Sequence, residues 1–372
     1  MTKPDMTSKR SLYIGIMSGT SLDGIDVALI STEHNTVRLI ATHFLAYPEA
    51  LKVKLLALHT PNQNELENAQ LVCNELAHLY ANATQMLLDK NQLYAKDILA
   101  IGCHGQTIRH RPELGFTLQI GNNALLAELT NITVVGDFRS RDIAAGGQGA
   151  PLVPAFHQAV FGDREKNRAI INIGGIANIT YLPKNGQVLG FDSGPGNMLL
   201  DGWIQLKLGQ LFDADGAWAT TGAVQQKILA HMLDEPYFML PPPKSTGRDL
   251  FNETWLQQHL PYPHHPPQDI ARTLTELTAY TISQAITTHC PEVNEVFLCG
   301  GGAHNALLVC RLKQMLSPLP VANTDVLGVN VDWVEATAFA WLAQQTLEHK
   351  PSNLPSVTGA RGLRILGAIY PS

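Results

Sequence analysis

The chain has 372 residues, 45% of them hydrophobic and only 16% charged, with 26 basic against 32 acidic side chains and a formal net charge of −6. So apolar and charge-poor a composition excludes a disordered chain, and the lack of a basic excess argues against a nucleic-acid binder. At about 100–200 residues per domain, the length suggests two domains.

The five cysteines, at 73, 103, 290, 299 and 310, are odd in number and include no C-x-x-C pair. Free thiols in a reducing compartment are expected rather than a disulfide framework or a zinc site. The opening MTKPDMTSKR is polar and no apolar signal core follows it. No stretch approaches the roughly 20 apolar residues of a membrane span. A cytoplasmic protein is expected.

In chain order, Ser11–Ile30 reads as strand, Gly/Ser/Thr/Asp turn, strand. Residues 46–90 carry two helical patterns, the second marked by Leu66, Leu71, Leu76, Leu79 and Met86. Residues 97–101 read as a buried strand ending at GCHGQTI. Further strands are expected at 116–120 and 132–135, with ALLAELT as a helix between them. From Arg168 the pattern restarts, because AIINIGGIANITYL is again strand, glycine turn, strand. A strand at 187–191 ends in DSGPGN, and 295–298 runs into CGGGAHN. Helices are expected at 199–208, 223–232, 270–288 and 331–347, and a last strand at 364–369. Pro-rich segments at 240–246 and 260–268 read as surface loops, including His264 and His265, which lack further ligands at zinc-like spacing. The alternation predicts an α/β fold in which one architecture occurs twice.

The glycine turns carry the chemistry. In MSGTSLDGID, Gly19, Thr20, Ser21 and Gly24 can present N–H groups and hydroxyls to a phosphate, while Asp23 and Asp26 suit a hydrated Mg²⁺. The same residues also suit a plain hairpin turn. NIGGIAN (172–178), DSGPGN (192–197) and CGGGAHN (299–305) fall at expected strand ends, where ligand crevices of α/β sheets lie. Four such turns together point to nucleotide binding. A Gly-x-x-x-x-Gly-Lys-Ser/Thr loop, a Gly-x-Gly-x-x-Gly turn after the first strand and a Gly-x-Ser-x-Gly elbow are all absent. Those absences disfavour P-loop, dinucleotide and α/β-hydrolase folds.

The residues YIGIMSGTSLDGIDVAL, HGQTIRH, DFRSRDIAAGGQGAPLVP, INIGGIAN, GFDSGPGN, KSTGRDLF, CGGGAHN and VEATAFAWLA resemble the anhydro-N-acetylmuramic acid kinases, over about 12–370. CGGGAHN-like turns are shared more widely across the sugar-kinase, actin and heat-shock-protein superfamily. The resemblance implies a two-domain actin/hexokinase-like (ribonuclease H-like) fold with ATP and sugar in an interdomain cleft. The expected lobes are 11–165 with 349–372, holding the first phosphate hairpin and the sugar contacts, and 166–348, holding the second hairpin, the catalytic aspartate and the adenosine motif. It also implies an ATP-dependent phosphotransferase of peptidoglycan recycling. That enzyme opens the 1,6-anhydro ring of anhydro-N-acetylmuramic acid with water and phosphorylates the 6-oxygen.

By this resemblance Asp192 is the catalytic base. The loop Gly19, Thr20, Ser21, Leu22, Asp23, Gly24, Ile25 and Asp26 holds the ATP phosphates, with Asp23 on Mg²⁺ directly or through water. Gly174 and Gly175 form the second phosphate turn, and Gly300, Gly301 and Gly302 pack against adenosine or its α-phosphate. His104, Gln106, Arg139 and Glu335 are the candidates for the sugar, Arg139 pairing with its lactyl carboxylate. A homodimer is implied as well. The competing readings are an actin-like ATP-dependent assembly or regulatory protein and a generic N-acetylhexosamine kinase. KSTGRD, at 244–249, either contacts ligand or caps the helix after it.

Overall fold

A computed structural model describes residues 11–33, 36–61, 63–260 and 265–372. The polar opening and His264 of the Pro/His loop lie outside the described residues. The chain divides into two compact units, Met1–Val160 with Trp333–Ser372, and Phe161–Asp332.

In the first unit, β1 (Ser11–Ser18), β2 (Gly24–Glu33) and β3 (Thr36–Ala46) form an antiparallel meander. β4 (Ala100–Arg111) lies parallel to β1, β5 (Phe116–Ile120) pairs with β4, and β6 (Val134–Gly136) runs parallel to β4. In the second unit, β7 (Arg168–Ile173), β8 (Ile176–Leu182) and β9 (Leu189–Pro195) repeat the meander. β10 (Glu295–Cys299) and β11 (Val321–Asn323) follow in parallel on the side of β7. The last strand, β12 (Ala368–Tyr370), returns to pair with β6. Among the described residues the sheet orders are β12-β6-β4-β1-β2-β3 and β11-β10-β7-β8-β9. Each sheet thus places its glycine hairpin on its central strand, and the two-fold repeat read from the glycine turns is an architectural one.

Two expected elements shift and one strand is new. β4 starts at Ala100 and runs through GCHGQTIRH, so His104 and Gln106 sit inside a strand and not after one. β9 extends to Pro195, which puts Asp192 inside the strand too. β3 has no counterpart in the expected elements. Its burial alternates along an edge strand, and polar Arg38, Thr42 and His43 dilute the apolar signal.

The helix Val334–Leu347, expected in the second lobe, packs in the first unit. It is buried at every position from Val334 to Thr346 except Glu335, which is half-buried. Its backbone lies directly on β1 and β4. A methyl group built on Gly15 would overlap the carbonyl oxygen of Ala336, and one on Gly102 that of Phe339. The core of the first unit fills the other side of the sheet with residues such as Leu76, Tyr80 and Leu87 of the helix Glu65–Lys90. In the second unit, the helices Met198–Leu208, Gln226–Leu233, Glu253–His259 and Pro267–His289 bury Ile204, Met232, Trp255 and Leu274 together. No helix of the described residues is long and apolar enough to cross a membrane.

Gly102→Ala should therefore cost about 1–3 kcal/mol, the usual range for forced overpacking against backbone. Gly202 lies inside the helix Met198–Leu208 with nothing within 4 Å of an added methyl. Gly202→Ala should gain about 0.5–1 kcal/mol. Urea unfolding midpoints of the two variants should move in opposite directions, and a neutral Gly102→Ala would refute the close helix–sheet approach.

Candidate active site

The turn between β1 and β2 is built to present its backbone. Leu22 and Ile25 point into the core, leaving Thr20, Ser21 and Asp23 exposed. Ser21 Oγ donates to Asp23 Oδ1 at 2.8 Å and the Gly24 N–H donates to the same oxygen at 3.0 Å. Asp23 thus shapes the turn through one carboxylate oxygen. Below the turn, the Gln106 amide donates to the Gly19 carbonyl at 3.0 Å, and Tyr47 OH donates to Gln106 Oε1 at 3.3 Å. Ser18 Oγ donates to the Gly105 carbonyl at 3.0 Å and shares a 2.9 Å hydrogen bond with Tyr80 OH. Gln106 is fully buried with both ends of its amide engaged. Gln106 thus holds the turn. Tyr47 and Tyr80 escaped the sequence reading because they lie 28 and 61 residues from Gly19, and only the β1–β4 pairing and the core bring them there.

The glycines fall into two kinds. A methyl group on Gly19, Gly174, Gly175 or Gly301 would meet nothing closer than 3.4 Å. These four can let a ligand approach the backbone. Gly24, Gly300 and Gly302 have no such space, because a methyl there would press into Leu45 and Phe44, Asn172, and Ile173 respectively. They permit close packing of the chain itself, and Gly300 also needs its φ of +78°. The β7–β8 turn is firmly tied: the N–H groups of Gly196 and Met198 donate to the Gly175 carbonyl at 2.9 and 3.1 Å, and that of Asn197 to the Gly174 carbonyl at 2.8 Å.

On the first unit, His104, Arg139 and Glu335 come together. Arg139 donates to His104 Nε2 from Nη2 at 2.9 Å and from Nε at 3.2 Å, and to the Gly149 carbonyl from Nη1 at 2.8 Å. A guanidinium has no acceptor, so His104 Nε2 must accept and the ring is neutral. Burial first, and then the Arg139 charge, push its pKa down to about 3, against a partial lift from the backbone of Gly105 and Ser18. Three of the five guanidinium N–H groups are engaged, leaving one on each terminal nitrogen, the fork that fits a carboxylate. Burial lowers the Arg139 pKa to about 10 against the support of Glu335, and raises that of Glu335 against the support of Arg139. His104 thus aims Arg139 through Nε2, while its Nδ1 is buried with no hydrogen-bond partner.

On the second unit, Asn178 Nδ2 donates to Asp192 Oδ1 at 2.8 Å and the Thr246 N–H donates to Oδ2 at 3.0 Å. Burial raises the Asp192 pKa, while Asn178, Thr246 and the Lys244 charge hold it back. A desolvated carboxylate fixed at both oxygens suits a general base. A separate cavity of about 220 Å³ opens between the helices Met198–Leu208 and Glu253–His259, lined by Trp203, Arg248 and Phe251, and none of the candidate residues lines it. Among the described residues no three His, Cys, Asp or Glu side chains form a metal cluster.

The neutral His104 has a measurable consequence. The unfolded chain binds its proton below about pH 6.5 and the folded chain only near 3. Stability from this group is intact above the unfolded pKa and is lost as the pH falls between these values, by at most about 1.4 kcal/mol per pH unit. His157, pushed to about 3 by burial, adds a second such group. His104→Gln should make the unfolding free energy less steep between about pH 6 and 4, and an unchanged slope would contradict a buried neutral ring.

The model of the family described as anhydro-N-acetylmuramic acid kinase matches residues 11–372. A protein of that name from Nitrosomonas europaea is 53% identical over 97% of this chain and 99% of its own length. Those from Nitrosospira multiformis and Pseudomonas syringae are 52% and 51% identical, over 98% and 97% of this chain and 100% and 99% of theirs. Component A of the (R)-2-hydroxyglutaryl-CoA dehydratase of Acidaminococcus fermentans aligns with 89% of this chain and 96% of its own at a TM-score of 0.48 and 12% identity, too distant to bear on function. With matched motifs from the Gly19 turn to the helix carrying Glu335, the chain belongs to the anhydro-N-acetylmuramic acid kinase family.

Proposed function

We propose that this protein uses ATP and water to convert 1,6-anhydro-N-acetylmuramic acid into N-acetylmuramate 6-phosphate, a step of cell-wall recycling. The observation that carries the reading is the Asp192 carboxylate, buried and fixed at both oxygens, in a chain matched over residues 11–372 by this kinase family. Asp192 takes a proton from water as the water oxygen bonds to the anomeric carbon. The bond from that carbon to the 6-oxygen breaks, and the 6-oxygen bonds to the γ-phosphorus as ADP leaves. Phosphoryl transfer of this kind rests on positioning and on stabilising charge.

The open backbone at Gly19 and at Gly174–Gly175 supports a phosphate contact at each turn, and that at Gly301 an adenosine contact. Thr20 and Ser21 offer exposed hydroxyls beside the first. Gly24, Gly300 and Gly302 also permit close packing of the chain at these turns. Mg²⁺ would neutralise phosphate charge, and the donor set fits one held mostly by phosphate and water, with Asp23 as its protein carboxylate. Arg139, aimed by His104 and accompanied by Glu335, is assigned to the lactyl carboxylate of the sugar.

Asp192→Asn should bind ATP normally and lose turnover by about 10²–10⁴-fold, the usual contribution of a general base. Because its pKa is raised, the acid limb of kcat/KM should lie above the ordinary carboxylate range. Coupled ADP release should be seen with the anhydro sugar and not with ordinary N-acetylhexosamines. Equal rates with all sugars would mark a generic hexosamine kinase, and ATP-dependent sedimentation without sugar turnover an assembly protein. Gly175→Val should raise the KM for ATP, and an unchanged KM would remove that turn from the phosphate site.

A further inference from the structure

KSTGRDLF enters the reaction as described only through the Thr246 amide, yet its first residues wrap the base. The Asp192 N–H donates to the Lys244 carbonyl at 3.0 Å, the Thr246 N–H to Asp192 Oδ2 at 3.0 Å, and Tyr237 OH to the Asp192 carbonyl at 2.8 Å. Lys244 Nζ donates to the carbonyls of Tyr237 and Phe238 at 3.2 and 3.1 Å and lies over the Tyr237 ring. Against this background of engaged groups, the Thr246 hydroxyl is buried with no hydrogen-bond partner.

A buried polar group without a partner is destabilising, and folded proteins hold few of them. Valine has the same shape as threonine and would fill the position without that penalty. Thr84, Thr324, Thr337 and Ser352 carry unpartnered buried hydroxyls as well, but among these only Thr246 is hydrogen-bonded to Asp192. The residue's own amide touches the carboxylate that must receive a proton. Each Asp192 oxygen already accepts one protein donor and keeps further acceptor capacity.

We propose that Thr246 is a further catalytic residue, whose hydroxyl oxygen accepts a hydrogen bond from one O–H of the nucleophilic water while Asp192 accepts the other. In the step, the second O–H breaks and its proton passes to Asp192, the water oxygen bonds to the anomeric carbon, and the carbon–6-oxygen bond breaks. Thr246 exchanges no proton and only orients the lone pair that attacks. The inference rests on Asp192 being the base, the reading given under Proposed function.

The test compares Thr246→Val, Thr246→Ser and Asp192→Asn in the full chain by coupled ADP release with ATP and the anhydro sugar, alongside urea unfolding. Thr246→Val should unfold at the same or a higher urea concentration, yet lose kcat by about tenfold or more, equivalent to one hydrogen bond in the transition state. Its KM values for ATP and sugar should stay within about twofold, and Thr246→Ser should keep most of the activity. Where valine does not fit, Thr246→Ala removes the same hydroxyl. A wild-type kcat in Thr246→Val would overturn the proposal, as would an equal loss in Thr246→Ser or a rise in sugar KM at unchanged kcat. An active Asp192→Asn variant would instead remove the base assignment itself. An inactive Asp192→Asn beside a fully active Thr246→Val would leave the base and remove only Thr246.

Discussion

In the first unit, the backbone of the helix Val334–Leu347 rests directly on β1 and β4, and everything polar around it depends on that approach. Only the missing side chains of Gly15 and Gly102 allow it. The approach puts the Phe339 ring 4.6 Å from the His104 ring and 5.5 Å from Phe138. It also leaves Glu335, at the start of the helix, within electrostatic reach of Arg139. Desolvation then does the chemical work. It keeps His104 neutral, so the ring can accept from Arg139 and fix the direction of the guanidinium.

The second unit uses a different device for its own critical group. There a carboxylate lies within a strand, and its two oxygens are held by a side chain of the neighbouring strand and by the amide of a loop far along the chain. Burial makes Asp192 more basic, and the hydrogen bonds from Asn178 and Thr246 and the charge of Lys244 oppose that rise. Balance of this kind, rather than burial alone, is what a base working near neutral pH requires.

Much of the site is legible in the sequence because turns are local. The glycine-rich turns at 19–24 and 174–175 fall between strands as their composition implies, and the repeat of the meander follows from their recurrence. What composition does not tell is which glycine serves a ligand and which serves packing. That depends on what stands opposite each Cα, and Gly24 differs from Gly19 and Gly175 there. The roles of His104 and Gln106 are hidden for the same reason. A His-Gly-Gln triplet is chemically equipped to bind a sugar, and only the strand it forms shows that the histidine faces Arg139 and the glutamine the carbonyl of Gly19.

By itself the sequence determines the α/β class, the duplicated hairpin, the family and the identity of the acidic residue on β9, since each is encoded in short contiguous patterns. The tertiary structure decides that the helix Val334–Leu347 belongs with the first unit, that Tyr47 and Gln106 brace the first turn, and that Thr246 sits against Asp192. These contacts join residues from 54 to over 300 positions apart, and no local period or propensity encodes them. They follow from which strands pair and which side chains lose their water when the sheets are covered.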